Sequence, residues 1–142
     1  MNEKLKQYCD RLQDEVKTAE ASLARVGQHL INPELTPLAD WKASLQEATT
    51  ECKAKREQAQ QAAQRVKVWF EEMENRAATP LDESNLDREA INAENRADRE
   101  EGLALDAMLV AAHAILQAEV AILKAFGTRK TAVDLARFRN VF

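Results

Sequence analysis

From Leu103 to Phe126 the chain is apolar almost all the way round, and this stretch limits what the whole can fold into. Ala104, Ala107, Ala111, Ala114, Ala118, Ala121 and Ala125 alternate at spacings of three and four, the pattern of one helical face. Larger residues run beside them, among them Leu105, Met108, Leu109, Ile115, Leu116, Ile122, Leu123 and Phe126. Asp106, His113, Gln117 and Lys124 fall on one narrow line that reads as a solvent stripe. Glu119 alone lies off it. A helix with so wide an apolar arc needs more than one neighbour to cover it. A lipid bilayer fits that role badly, because each ionised group in the stretch is costly in hydrocarbon. The rest of the sequence is therefore expected to fold around a helix covering residues 86–126.

The flanking sequence supplies helices of the right kind. Residues 2–30 carry a two-position heptad, with Leu5, Leu12, Ala19 and Val26 on one seam and Cys9, Val16, Leu23 and Leu30 on the other. Asn32-Pro33 stops this helix, and Thr36-Pro37 offers an N-cap and first-turn proline for the next. That second helix is expected to reach about Ala78. Its seam is Leu38, Leu45, Cys52, Ala59, Val66 and Met73, with Trp41, Ala48, Ala62 and Trp69 alongside. The third helix opens either at Thr79-Pro80 or at Ser84, which with Asp87 resembles a capping box. Gly127 is placed to close it as a C′ residue, and Thr131 with Asp134 suggests a short fourth helix over 132–140.

Three glycines and three prolines leave little punctuation for strands, so the fold class is all-α. Short links at 31–36 and 78–84 make neighbouring helices antiparallel. The expected architecture is an antiparallel bundle of three long helices with coiled-coil-like packing over residues 1–127. A basic amphipathic tail, 128–142, comes after it and includes the short fourth helix. The tail is expected to pack on the open end of the bundle, where Ile31, Leu35, Leu38 and Phe126 need cover.

Little in the sequence points to catalysis. The two histidines belong to neither Glu-x-x-His nor His-Glu-x-x-His, so di-iron and zinc-protease ligand sets are missing. Phosphate-binding glycine loops, serine elbows and Cys-x-x-Cys are likewise missing. Glu94, Asp98 and Glu101 share a helical face, but carboxylates along one straight helix point outward and do not enclose an ion. Neither a metal nor a cofactor is expected. The net charge of −4 includes no broad basic face, which argues against nucleic acid. Cys9 and Cys52 sit on heptad positions and read as buried reduced thiols, and MNEKLKQYCD has no apolar leader run. Both features lead to the expectation of a cytoplasmic chain.

Three groups of residues stand out as candidate sites. Glu119, on an apolar face, calls for a buried partner, and level-matching along the helices offers His29, the Trp41 indole or an arginine of the tail. Helix 1 is shorter than its neighbours, so helices 2 and 3 are expected to project beyond it by about 15–18 Å. That tip carries Val66, Trp69, Phe70, Met73 and Leu86, an apolar group suited to an interface. In the tail, Arg137, Phe138 and Arg139 are placed to dock on the bundle or on a partner. The functional expectation is a non-enzymatic helical protein, an adaptor, scaffold or chaperone-like chain, that binds other proteins and associates with itself, a dimer being favoured. One alternative is a small-ligand or metal-binding bundle using Glu119 or the acidic line. The other is a peripheral membrane or granule-surface protein using the tail.

Overall fold

The computed structural model describes residues 2–31, 33, 36–74 and 85–141. Among these residues the chain is all-α and forms three helices, α1 (Glu3–Ile31), α2 (Leu38–Glu74) and α3 (Leu86–Val141). Each start is capped locally. The Asn2 side-chain oxygen accepts the Lys4 amide at 2.8 Å, and the Pro37 carbonyl accepts the first amides of α2, from Asp40 and Trp41. At α3 the cap is Asn85, whose Oδ1 accepts the Arg88 amide at 3.3 Å. Ala78, Thr79-Pro80, Ser84 and Leu35, which entered the sequence-based expectations, lie outside the described residues.

Gly127 does not end α3. The expected fourth helix is a continuation of the third, and α3 runs unbroken for 56 residues, about 84 Å at 1.5 Å per residue. A C′ glycine works by adopting positive φ, and no described residue does so. The residues beyond Gly127 supply the reason. None of them is proline, the Thr131 hydroxyl donates to the Gly127 carbonyl at 2.9 Å, and the Lys130 ammonium bonds the Thr36 carbonyl. Gly127, Thr128, Thr131, Ala132 and Leu135 also line a shallow apolar groove with Leu38, Trp41, Lys42 and Leu45 at the start of α2. The tail therefore does not fold back as a lid. It continues α3 straight past the start of α2, and beyond Leu135 it carries Arg137, Phe138 and Arg139 exposed.

α1 and α2 both pack on α3, and no Cα of α1 lies within 8 Å of one on α2. Lys4 reaches Asp98, and Arg25 reaches Glu119, each pair 94 residues apart, so α1 runs parallel to α3 in one register. α2 runs antiparallel to α3, as Trp41 against Phe126, Cys52 against His113 and Arg65 against Asp106 show. The core is built mainly by small residues of α2 facing leucines of α3. Ala48, Cys52, Ala59 and Ala62 are buried with Leu105, Ala112, Leu116 and Leu123, and Trp41 fills the end beside Phe126. Large and small side chains thus interdigitate, as dense packing requires.

α1 packs along α3 and meets α2 through the side chains of Arg25 and His29, and it buries little of either seam. Ala19 is buried and Leu12 and Val26 are half-buried, while Leu23, Leu30 and Cys9 of the second seam are exposed. The expectation that Cys9 is buried is therefore incorrect. Ser22 takes the inner position instead, its hydroxyl bonded to the Thr18 carbonyl at 3.3 Å.

Because Gly127 has helical backbone and a Cβ there meets nothing within 4 Å, Gly127→Ala is expected to stabilise the chain by about 0.5–1 kcal/mol. A helix ending at a left-handed Gly127 predicts the opposite sign. Urea unfolding monitored by far-UV circular dichroism distinguishes the two.

Candidate functional site

Glu119 is buried, 3% exposed, and is held by a partner that the sequence-based expectation did not name. Arg25 of α1 donates from Nε to Oε1 at 3.1 Å and from Nη2 to Oε2 at 3.2 Å, a two-point clamp on the carboxylate. The same guanidinium bonds the Ser22 hydroxyl at 3.2 Å and Glu51 of α2 at 3.3 Å. One cation thereby connects all three helices. The Arg25 guanidinium is held above its ordinary pKa, chiefly by the hydrogen bond to Glu119, against the opposing pull of burial. His29, Trp41 and the tail arginines are not the partners of Glu119. His29 and Phe126 instead flank the buried Trp41, with ring centroids at 5.4 Å and 5.3 Å.

A second polar contact lies between α2 and α3. Cys52 is buried as expected, but His113 is also buried, its Nε2 3.6 Å from the Cys52 sulfur. About two turns before His113 on the same line, Asp106 is gripped by Arg65 in two bonds of 2.8 Å. The supposed solvent stripe is thus, along its first half, the edge of α3 that faces α2. Polar periodicity shows that Asp106 and His113 share a line, but not that Arg65 and Cys52 wait opposite them. The crevice beside His113 holds about 10 Å³, too little for a substrate. On the acidic line, Glu94 and Asp98 both accept from Lys4, and the bond to Lys4 lowers the Glu94 pKa. No group of three metal-ligating side chains is gathered among the described residues.

The apolar candidates lie at the surface. Val66 and Trp69 are half-buried, whereas Phe70, Met73 and Leu86 are exposed at 56%, 50% and 66%. Trp69 and Phe70 meet edge to face at 4.9 Å. Lys4 sits beside Glu94, so among the described residues 86–93 of α3 precede the level where α1 begins. In the tail, Leu135 and Phe138 are exposed at 65% and 64%.

The largest uncovered feature is α3 itself. It contains a window of mean hydropathy 1.6, of which 22% is buried. Ala107, Ala111, Ala114, Ala118, Ala121 and Ala125 all face outward, so α1 and α2 leave this side open. The same alternation of three and four runs on through Ala90, Ala93 and Ala97 on one side and Ala132 on the other, all of them exposed. Comparison of the chain with protein-family models, with curated proteins and with solved structures finds no match.

The clamp predicts an asymmetry. Arg25→Ala leaves a buried carboxylate without its cation and is expected to cost about 3 kcal/mol, the low end for such a loss because the Arg25 side chain is 41% exposed. Glu119→Ala leaves Arg25 free to keep Glu51 and to meet water, and should cost less, about 1–2 kcal/mol. Chemical denaturation of both variants checks the order. A thiol reagent should modify exposed Cys9 in the native chain and reach buried Cys52 only on unfolding, as mass spectrometry can show.

Proposed function

We propose that this chain is a non-enzymatic helical protein that works by binding another chain, a second copy of itself included, in the cytoplasm. The observation that carries this reading is the poor cover of α3, an apolar helix of which 22% of the most hydrophobic window is buried within the chain. Soluble proteins seldom leave so long an apolar face open, and contiguous patches of this kind mark interaction surfaces. Exposed Phe70, Met73 and Leu86 at the tip add large side chains of the sort that anchor interfaces.

A dimer is favoured, because a symmetric pair presents each open face to its own complement. The length and hydropathy of α3 alone also suit a membrane span. Against that reading, Asp106, His113 and Glu119 are engaged by α2 or α1, so a crossing α3 would draw Arg65 and Arg25 into hydrocarbon with it. Among the described residues no buried side-chain nitrogen or oxygen lacks a hydrogen-bond partner, so the interior offers a small ligand no unpaired polar group.

Light scattering of the purified chain should give twice 16.0 kDa at micromolar concentration. Trp69→Ala with Phe70→Ala should keep the helical circular dichroism and weaken association. A chain that stays monomeric at high concentration and captures no protein partner would refute the proposal.

A further inference from the structure

We propose that two copies pair through the outer faces of α3, running antiparallel, with Glu100 of each chain against Arg139 of the partner subunit. This rests on the self-association proposed above and specifies its geometry. From Glu100 to Arg139, every position of the outward three–four repeat is alanine except Thr128 and Leu135. All are exposed but Ala104, which is half-buried. The face is thus a strip of methyl groups about 60 Å long, closed by an acid at one end and a base at the other. Neither Glu100 nor Arg139 has an ion pair among the described residues.

Symmetry and charge select the arrangement. In a parallel pair Glu100 would oppose Glu100 and Arg139 would oppose Arg139, so both ends repel. In an antiparallel pair each layer joins the two alternating positions of the repeat, which restricts the register to steps of one heptad. One register sets Glu100 against Arg139 of the partner subunit. The same register places Ala118 against Ala121 of the partner subunit at the two-fold axis, and Ala107 against Ala132 of the partner subunit further out. Along the flanks, half-buried Ile115 comes beside Ile122 of the partner subunit, and exposed Phe138 beside Leu103 of the partner subunit. Moving one heptad in the direction that lengthens the overlap of the two α3 helices leaves Glu100 against Ala132 of the partner subunit and Arg139 against Ala93 of the partner subunit. Both charges then face methyl groups.

Two further observations fit a second copy. The stretch from Glu94 to Glu101 is net acidic, and the end of the tail that would lie beside it carries Arg137 and Arg139. The contacts are direct, so they act within the roughly 8 Å over which charges are felt at physiological salt. Arg65 against Asp106 also fixes the level of α2, and it puts Trp69 and Phe70 near the height on α3 where Phe138 of the partner subunit arrives. One pairing thus brings the exposed tail and the tip of the opposite chain together. Small residues at the seam let the helix axes approach to the short end of the usual 8–10 Å.

The test is a charge exchange in the full chain, read by sedimentation equilibrium with circular dichroism as the check on folding. Glu100→Arg and Arg139→Glu should each weaken the dimer about tenfold or more, because each creates two like-charge contacts per dimer. The double variant Glu100→Arg with Arg139→Glu should regain most of the loss. Ala118→Trp, which places a large ring at the axis, should give a helical monomer. A dimer indifferent to the single reversals, one not restored by the double variant, or one that survives Ala118→Trp overturns the pairing while leaving self-association standing. A wild-type chain that is monomeric throughout overturns both. Should that monomer pellet with vesicles of phosphatidylcholine and phosphatidylserine, the face belongs to a membrane surface and the pairing is wrong.

Discussion

Arg25 is the residue on which the arrangement of the helices most depends. α1 has no backbone neighbour but α3, and it offers a thin seam of Leu12, Ala19 and Val26. Such a seam would slide by a heptad at modest cost, since each step replaces one aliphatic contact with another. The buried Glu119 prevents this. Its carboxylate is 4% exposed at the side chain, and only the present register brings a guanidinium to both of its oxygens. Lys4 on Asp98 repeats the same offset near the other end, though at full exposure and so with little energy of its own. A buried ion pair contributes little net stability against its desolvation, but it specifies register where apolar contacts do not.

The α2–α3 side is governed by shape instead. Alanines of α2 allow the leucines of α3 to sit close, and the one large residue α2 buries fully, Trp41, lies at the end, between His29 and Phe126. Cys52 with His113 and Arg65 with Asp106 then decorate one edge of this contact. Both pairs satisfy polar groups where two helices meet, and the crevice beside His113 holds only about 10 Å³. The packed core accordingly runs from Trp41 to Ala62 of α2, and large apolar residues stay in water at the end of α2 and at the end of α3.

How much of this was legible depends on the thing periodicity measures. The α2 seam was readable, because Cys52 and Ala59 recur at the spacing of a buried line and are buried. The three helices and their directions were readable from the links. Level-matching places Glu119 within about half a turn of Arg25, but Arg25 lies outside both heptad seams of α1, so periodicity does not single it out. Periodicity says which residues share a face, not whether that face is covered. For that reason Cys9 and Leu23 were assigned to a core they do not join, and His113 to a surface it does not occupy. Gly127 misled in another way. Glycine permits a left-handed residue without requiring one, and the bond from Lys130 to the Thr36 carbonyl ahead of α2 favours continuing the helix.

The uncovered side of α3 has a composition that bears on how strongly it can bind. A methyl group removed from water contributes little, whereas an exposed leucine or phenylalanine fully buried contributes about 1.5–3 kcal/mol. A face of alanines is thus tolerable in a free chain, unlike a face of leucines, which would force permanent association or aggregation. What alanine offers is closeness, so that the neighbouring half-buried Ile115, Ile122 and Met108 can touch a partner across the seam. Affinity would then come from those flanks and from the large residues at the ends, with the strip between them acting as a track that fixes distance and direction. Such a design favours an association that is specific in geometry yet reversible.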